Sequence, residues 1–175
     1  MAKLVGIIMG SDSDLKVMQE AADVLQKEFG IESDVTALSA HRAPEHVAEY
    51  GKTAHEKGFK VIIAGAGVAA HLPGVLAAFT PLPVIGVPIK SSTSGGIDSL
   101  FAIAQMPPGV PVACVAINGA KNAGILAAEI IGAGDTTVMD KVIAFKKKME
   151  SEVVAKAAKI EERGFKKYME ENGLI

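Results

Sequence analysis

The 175-residue chain has the length of one domain of ordinary size. About half of its residues (49%) are hydrophobic and 22% are charged, a balance that excludes an intrinsically disordered chain. A formal net charge of -2 offers no bulk positive field for a nucleic-acid backbone, and a single cysteine, Cys114, excludes an internal disulfide.

In chain order, the first half predicts three strands and their helices. Apolar residues 3–9 form the first strand, and helical spacing over 15–29 ends at Gly30. Residues 31–38 predict a more polar strand at a sheet edge, and a helix follows from Pro44 to about residue 57. Residues 61–64 predict a buried strand, after which residues 65–67 open a loop towards a short helix over 74–79.

The second half predicts two more strands and a long last helix. Residues 83–87 and 112–117 are the strands; a helix over 98–105 lies between them, and another ends near Gly132. Residues 135–171 carry apolar positions at intervals of three and four, which predicts one long amphipathic helix. No crossover needs this helix, so we expect its apolar stripe to contact a neighbouring subunit. Packing against its own domain is the alternative.

Five strands alternating with helices predict an open parallel α/β sheet three layers thick. Between residues 61 and 120 the only charged side chains, histidine aside, are Lys90 and Asp98, which indicates strands buried on both faces. We divide the chain into an α/β catalytic domain over 1–134 and a helical extension over 135–175, within a single domain overall.

Nothing in the sequence predicts export, a membrane span or a metal site. Met1-Ala2-Lys3 runs directly into a short apolar strand, which is not the pattern of a signal peptide. No apolar run approaches the roughly 20 residues of a membrane helix, and no Cys/His spacing is typical of zinc ligands. We therefore expect a cytoplasmic protein with no membrane, nucleic-acid or metal partner.

Polar residues follow the predicted strands, and ligands bind open parallel sheets at this carboxyl edge. In strand order they are Ser11, Asp12, Ser13 and Asp14; Ser39, His41 and Arg42; Gly65, Gly67 and His71; Lys90 with a Ser/Thr/Gly loop; and Asn118, Lys121 and Asn122. Because the strands themselves are almost wholly apolar, this contrast predicts a site at that edge.

Two of these loops suit anion binding and proton transfer. Residues 10–14 enter a helix N-terminus, whose N–H groups favour a phosphate that Arg42 can clamp. Asp14 suits vicinal hydroxyls, and the imidazole of His41 can both give and take a proton. Simpler alternatives are helix capping by Ser11 or Asp12 and a turn hydrogen bond at His41.

Several other features have less specific interpretations. His46 and His55 are expected on the surface, and Cys114 in the core. Residues 65–70 match the dinucleotide fingerprint Gly-x-Gly-x-x-Ala superficially, but the next strand does not end in the Asp or Glu that would bind ribose. We therefore expect that no nicotinamide cofactor binds there. The glycines are expected to let the backbone approach a small ligand closely.

Taken together, the motifs resemble the bacterial-type (class I) N5-carboxyaminoimidazole ribonucleotide mutases of purine biosynthesis. The matching stretches, in similar order over about residues 3–132, are Gly10-Ser-Asp-Ser-Asp14, Ser39-Ala-His-Arg42, Ala64-Gly-Ala-Gly67, Ala69-Ala-His-Leu-Pro-Gly74, Asp98-Ser-Leu100, Gln105-Met-Pro107, Gly109-Val-Pro-Val112 and Asn122-Ala-Gly124. Departures are Ala43 in place of the usual threonine, Val68 in place of glycine, and Pro108 at a variable position. Val68 adds a side chain to a glycine-rich loop and so bears on the geometry of that loop.

The resemblance implies a flavodoxin-like three-layer sandwich, a homo-octamer whose last helix reaches a neighbour, and a cofactor-free isomerase. The reaction moves a carboxylate from N5 to ring carbon C4 of aminoimidazole ribonucleotide, by decarboxylation and recarboxylation with His41 as general acid and base. By position, Ser11 and Arg42 would hold the phosphate and Asp14 the ribose, and residues 65–74 would surround the carboxylate with His71 in support. The implied substrate-binding set is Gly10, Ser11, Asp12, Asp14, Ser39, Ala40, Arg42, Gly65, Ala66, Gly67, Ala70, His71 and Leu72.

Three alternatives stay open at this point. A class II relative would carboxylate aminoimidazole ribonucleotide directly with carbon dioxide, although the stretch 69–74 favours the mutase class. A flavin- or nicotinamide-dependent oxidoreductase would take up a cofactor. A non-enzymatic nucleotide- or phosphate-binding module, such as a phospho-signalling receiver, would want an aspartate at the end of the third strand, where this chain has Ala64-Gly65.

Overall fold

A parallel sheet with helices on both faces makes up most of the computed structural model, which describes residues 3–175. Met1 and Ala2, which the sequence analysis places before the first strand, lie outside the described residues. The five strands are β1 (Val5–Met9), β2 (Ser33–Ala37), β3 (Val61–Gly67), β4 (Val84–Ile89) and β5 (Ala113–Cys114). The helices are α1 (Leu15–Val24), α2 (Pro44–Thr53), α3 (Leu72–Phe79), α4 (Ile97–Ala104), α5 (Ala120–Gly132), α6 (Thr136–Arg163) and α7 (Phe165–Glu171).

The strand order is β2-β1-β3-β4-β5, and each neighbouring pair is parallel. Val5 of β1 lies between Ser33 of β2 and Val61 of β3, so the order reverses at β1. This is the flavodoxin-like order, whose ligand crevice lies where β1 and β3 diverge at their carboxyl ends. The predicted fold class is confirmed, and β2 is the expected edge strand.

The alternation of side chains along the strands produces a core on each face of the sheet. Ile7 packs with α1, α5 and the start of α6, whereas its neighbour Ile8 packs with α2, α3 and α4. All residues of β1 and β4 are buried, as are all but the last of β3. The charge-poor middle of the sequence is thus explained by strands that helices cover on both sides.

Two strands differ in length from the prediction. β3 continues to Gly67 rather than ending at Ala64, because its pairing with β4 extends to Gly67 opposite Ile89. β5 is confined to two residues instead of 112–117. Pro88 of β4 explains this: its carbonyl accepts from the Asn118 N–H at 2.8 Å, but a proline has no N–H to donate back to β5.

The last helix is interrupted and only partly packed. Gly164, with φ of +77°, separates α6 from α7, where the sequence predicts one continuous helix. Asp135 caps α6 by accepting from the Thr137 and Val138 N–H groups. The first turns pack on the domain through the buried residues Val138, Val142 and Phe145. Beyond them the apolar stripe is exposed, so packing against its own domain accounts only for the start of the helix.

A buried tyrosine hydroxyl offers a test of stability. Tyr50 is 6% exposed, and its hydroxyl has no hydrogen-bond partner among residues 3–175. It lies so close to Gly6 that any β-carbon there would collide with it, and burial raises the pKa of the phenol. A buried hydroxyl without a hydrogen-bond partner destabilises the folded state, because it has lost its contacts with water. We therefore expect Tyr50→Phe to raise the free energy of unfolding by about 1 kcal/mol.

Denaturant unfolding of the parent protein and of Tyr50→Phe measures this difference in the free energy of unfolding. The half-buried Tyr168 of α7 supplies the matched control, since Tyr168→Phe removes a hydroxyl that is not enclosed. A drop in stability for Tyr50→Phe would mean that the hydroxyl has a partner, such as a bound water.

No helix within residues 3–175 is both long enough and apolar enough to cross a membrane.

Candidate active site at the carboxyl edge of the sheet

The loops that follow β1, β2, β3 and β4 meet around a cavity of about 360 Å³. It lies beside the reversal of strand order, where the sequence predicts a ligand site. Its wall is formed by Gly10, Ser11, Ser13, Asp14, Ala40, His41, Ala66, Gly67, Val68, Ala69, Leu72, Ile89, Lys90, Ser91 and Ser92. One part of this wall is polar and the other, from the end of β3, is built of small and apolar residues.

The loop after β1 is tied to β3 and leads into α1. The Gly10 N–H donates to the Gly65 carbonyl at 3.1 Å, which fixes where the loop leaves the sheet. Ser11 then caps a short 3-10 turn over Asp12–Asp14, its hydroxyl oxygen accepting from the Ser13 N–H at 3.4 Å. Ser11 therefore both caps this turn and lines the cavity. Burial is the main cause that raises the pKa of the Asp14 carboxyl above its ordinary value, while the Ser13 hydroxyl opposes it.

Arg42 lies in a depression that adjoins this cavity. The depression, about 410 Å³, shares Gly10 and Ser11 with it and is also lined by Asp12, Ala37, Leu38, Ser39 and Ala43. The Arg42 guanidinium donates to the Gly10 carbonyl through Nη2 at 3.2 Å, and its backbone N–H donates to the Ser39 hydroxyl. The two spaces are therefore adjacent, with Gly10 and Ser11 between them.

Two histidines from different loops form a hydrogen-bonded pair. His41 Nε2 and His71 Nδ1 are 2.9 Å apart, and the ring planes are inclined by 83°. His41 follows β2 and lines the cavity, while His71 precedes α3. One nitrogen of the hydrogen bond must carry the proton and the other must accept it, so the pair can hold and move a proton at the cavity wall. His46 and His55 are exposed on the surface, as expected.

The loop after β3 adopts a conformation that favours glycine. Val68 has φ of +58°, in the left-handed region, where a β-branched residue is a genuine outlier. Its N–H donates at 2.9 Å to the hydroxyl of Ser99, which is fully buried in α4 and donates in turn to the Ile89 carbonyl. The loop therefore keeps a glycine-type backbone in spite of its valine.

Gly65 and Ala70 are buried beneath the cavity rather than in its wall. A β-carbon at Gly65 would collide with the Met18 side chain of α1, so this glycine is needed for helix packing. Ala66, Gly67 and Leu72 do line the cavity, and Ala40 lines it beside His41. Of the two glycines, Gly67 therefore lies in the cavity wall and Gly65 does not.

The loop after β4 lies at the edge of the sheet where the sequence predicts a ligand site, although the substrate-binding set implied by the resemblance does not include it. Lys90, Ser91 and Ser92 of this loop line the cavity. The Ser/Thr/Gly composition of this loop was the available signal. Its support comes from the Asn118 side chain, which accepts from the Lys90 N–H at 2.9 Å, and from Asp98, which accepts from the Ser91 hydroxyl.

Some candidates lie elsewhere or carry no site. Lys121 and Asn122 line a different groove with Glu28. Cys114 is half-buried in β5 rather than enclosed in the core, and burial raises the pKa of its thiol, which disfavours the reactive thiolate. Across residues 3–175, no three His, Cys, Asp or Glu side chains are grouped to hold a metal ion.

Comparison with known proteins gives consistent matches. The family model for AIR carboxylase matches residues 4–152. A Thermotoga maritima protein named N5-carboxyaminoimidazole ribonucleotide mutase is 59% identical over 94% of this chain and 96% of its own length. A Saccharomyces cerevisiae phosphoribosylaminoimidazole carboxylase is 56% identical over 95% of this chain, which corresponds to 29% of the yeast protein. The crystal structure of Treponema denticola PurE superposes with a TM-score of 0.81 and 31% identity, covering 90% of this chain and 98% of that one.

Proposed function

The chain belongs to the AIR carboxylase family, and from that premise we propose that it is an isomerase of de novo purine (IMP) biosynthesis. It converts N5-carboxyaminoimidazole ribonucleotide to 4-carboxyaminoimidazole ribonucleotide. The observation that carries this proposal is the identity of 51–59% to full-length relatives named as this mutase. His41 in the wall of a ligand-sized cavity, hydrogen-bonded to His71, supplies the chemistry such a reaction needs.

We assign the proton transfers to His41. A carbamate loses carbon dioxide once its nitrogen is protonated, and His41 supplies that proton while the N–C bond breaks. The electron-rich ring carbon C4 then attacks the carbon dioxide, and His41 removes the proton from C4. One proton is given and one is taken back, so the reaction needs no external acid or base. His71, 2.9 Å from His41, holds the imidazole in place and shares its proton.

Substrate positioning is assigned to the polar loops. Ser11, which caps the 3-10 turn that leads into α1, and Arg42, in the adjoining depression, bind the 5′-phosphate. Asp14 accepts hydrogen bonds from the ribose hydroxyls inside the cavity. Residues 66, 67 and 72, with Ala40 and the two histidines, surround the migrating carboxylate. No cofactor enters this scheme.

Assays with each substrate separately test the proposed function. We expect the protein to rearrange N5-carboxyaminoimidazole ribonucleotide faster than the no-enzyme control, and not to carboxylate aminoimidazole ribonucleotide in bicarbonate buffer. Direct carboxylation of aminoimidazole ribonucleotide is the specific alternative, because the yeast relative is named a carboxylase. Carboxylation of aminoimidazole ribonucleotide would identify a class II enzyme, and binding without turnover of either compound would identify a non-enzymatic module.

We further propose a homo-octamer in which the extension over residues 135–175 packs on neighbouring subunits. Support comes from the apolar stripe of α6, where Val153 and Val154 are 66% and 61% exposed, since patches of this kind are rare on monomers. Sedimentation velocity should give the mass of eight copies, and a monomer would contradict it. A cytoplasmic location is proposed as well, because a lone cysteine requires no oxidising compartment.

A further inference from the structure

Lys90 is the one lysine or arginine in the cavity wall, within the part of the chain that the structure describes. It is also the one lysine or arginine between residues 61 and 120 of the sequence. The other charged side chain of that stretch, Asp98, is already engaged, because it accepts a hydrogen bond from a serine hydroxyl of the loop after β4. A stretch made almost wholly of buried strands and small residues therefore places its single positive charge at the ligand site.

The Lys90 ammonium has no ion-pair or hydrogen-bond partner among residues 3–175, whereas Lys3 and Lys148, for example, pair with carboxylates. Its side chain is exposed, and it forms no ion pair with Asp14, the carboxylate of the same wall. A lysine carries its charge on a flexible four-carbon stem, so the ammonium is available to an anion that enters the cavity.

The backbone of Lys90 is held from two sides. The Asn118 side chain accepts from the Lys90 N–H at 2.9 Å, and the Asn118 N–H donates to the Pro88 carbonyl at 2.8 Å. Gly96 packs so closely that a β-carbon there would lie 3.1 Å from the Lys90 Cα. Because its attachment point is fixed, only the side chain of Lys90 must be ordered when it binds a ligand, which lowers the entropic cost.

Lys90 lies apart from the place assigned to the phosphate. The proposed substrate carries two anions, the 5′-phosphate and the carboxylate. Arg42 lines the adjoining depression, and none of the described residues that line this depression comes from β3, β4 or the loops after them. Lys90 directly follows Ile89, which pairs with Gly67 in the part of the cavity assigned to the carboxylate. The two cations thus lie in separate parts of the site, as the two anions require.

We propose that the Lys90 ammonium binds the carboxylate of the substrate and of the product, and so distinguishes these nucleotides from aminoimidazole ribonucleotide. This inference rests on the proposed function. The contact stabilises the bound nucleotide without accelerating the reaction, because the carboxylate loses its negative charge as it becomes carbon dioxide. Lys90 is therefore a specificity-determining residue, and the proton transfers stay with His41.

Calorimetric titration with 4-carboxyaminoimidazole ribonucleotide and with aminoimidazole ribonucleotide measures this preference. Lys90→Gln removes the charge at similar length, and it should weaken binding of the carboxylated nucleotide about tenfold, between the effects of an exposed and an enclosed ion pair. Binding of aminoimidazole ribonucleotide should not change. Lys90→Arg keeps the charge and should keep most of the preference. Lys60→Gln, which changes an exposed lysine before β3 at the opposite edge of the sheet, is the matched control and should behave as the parent.

Turnover of the carbamate separates binding from chemistry. For Lys90→Gln we expect KM to rise about tenfold and kcat not to fall, because the lost contact is no stronger in the transition state than in the ground state. Arg42→Ala gives the reciprocal result in the titrations. It should weaken both nucleotides alike and leave the preference for the carboxylated one.

Four results would overturn the inference. An equal loss for both nucleotides in Lys90→Gln would place the ammonium on the phosphate, and an unchanged preference would leave it without a contact. A parent protein that does not prefer the carboxylated nucleotide contradicts the inference as well, and so does a fall in kcat for Lys90→Gln. Failure of the parent to convert the carbamate contradicts the proposed function instead, since the titrations do not depend on turnover.

Discussion

Replacing His41 by asparagine should lower kcat by about 10³-fold and leave ligand binding intact, because a general acid and base contributes about that much to the rate. Asparagine can still form a hydrogen bond with His71 from the same position, but it cannot release or accept a proton at neutral pH. The cavity should keep its shape, because His41 is exposed in the loop after β2 and does not belong to the core. The change therefore removes the chemistry and leaves the binding surface.

Steady-state turnover and calorimetric titration with the product measure the two quantities. His46→Asn, on the exposed face of α2, is the matched control and should leave both unchanged. Turnover near that of the parent protein would remove His41 from the reaction. Loss of product binding together with turnover would mean that its contribution is structural.

Replacing Arg42 by alanine should lower kcat/KM by about 100-fold, chiefly through KM, because a charge-assisted phosphate contact at a partly enclosed site is lost. The guanidinium donates to the Gly10 carbonyl of the loop after β1, so it can bridge this loop and a phosphate. Lysine keeps the charge but not the planar pair of donors, and Arg42→Lys should fall between the two.

Competition by aminoimidazole ribonucleotide and by its dephosphorylated nucleoside isolates the phosphate contribution. The parent protein should prefer the nucleotide strongly, and Arg42→Ala should lose most of this preference. Lys52→Ala, which removes an exposed cation of α2 above the Phe79 ring, should retain it. An unchanged preference in Arg42→Ala would place the phosphate elsewhere.

Much of the fold follows from local patterns in the sequence. The apolar runs that became β1, β3 and β4 are short, lie between turn residues and alternate with helical spacing, so their succession along the chain and a parallel sheet were predictable. The length of β5 was not, because it depends on Pro88, a residue of another strand. The end of β3 could not be predicted either, because it is set by pairing with β4 and not by the glycines of β3 itself.

The site was predictable to a similar extent. Residues that follow strands could be assigned to one edge of the sheet, which located Ser11, His41 and Arg42. The contact between His41 and His71 joins positions 30 residues apart, and nothing in either loop encodes their distance of 2.9 Å. Ser99 was missed because a buried serine in a helix resembles any other, and only the fold brings it to the Val68 N–H.

The uneven packing of α6 has a consequence for how the protein responds to dilution. The helix is 28 residues long, or about 42 Å, and its last buried residue is Phe145. Beyond Phe145 the helix buries no side chain against its own domain and is held to it by exposed ion pairs such as that from Lys148 to Glu28. Most of the stability of a helix in a protein comes from the packing of its apolar face, which this segment lacks. In the proposed octamer the neighbouring subunits would cover this segment. A lone copy should therefore unwind at its carboxyl-terminal end while the sheet stays intact, and helix content should then rise with protein concentration.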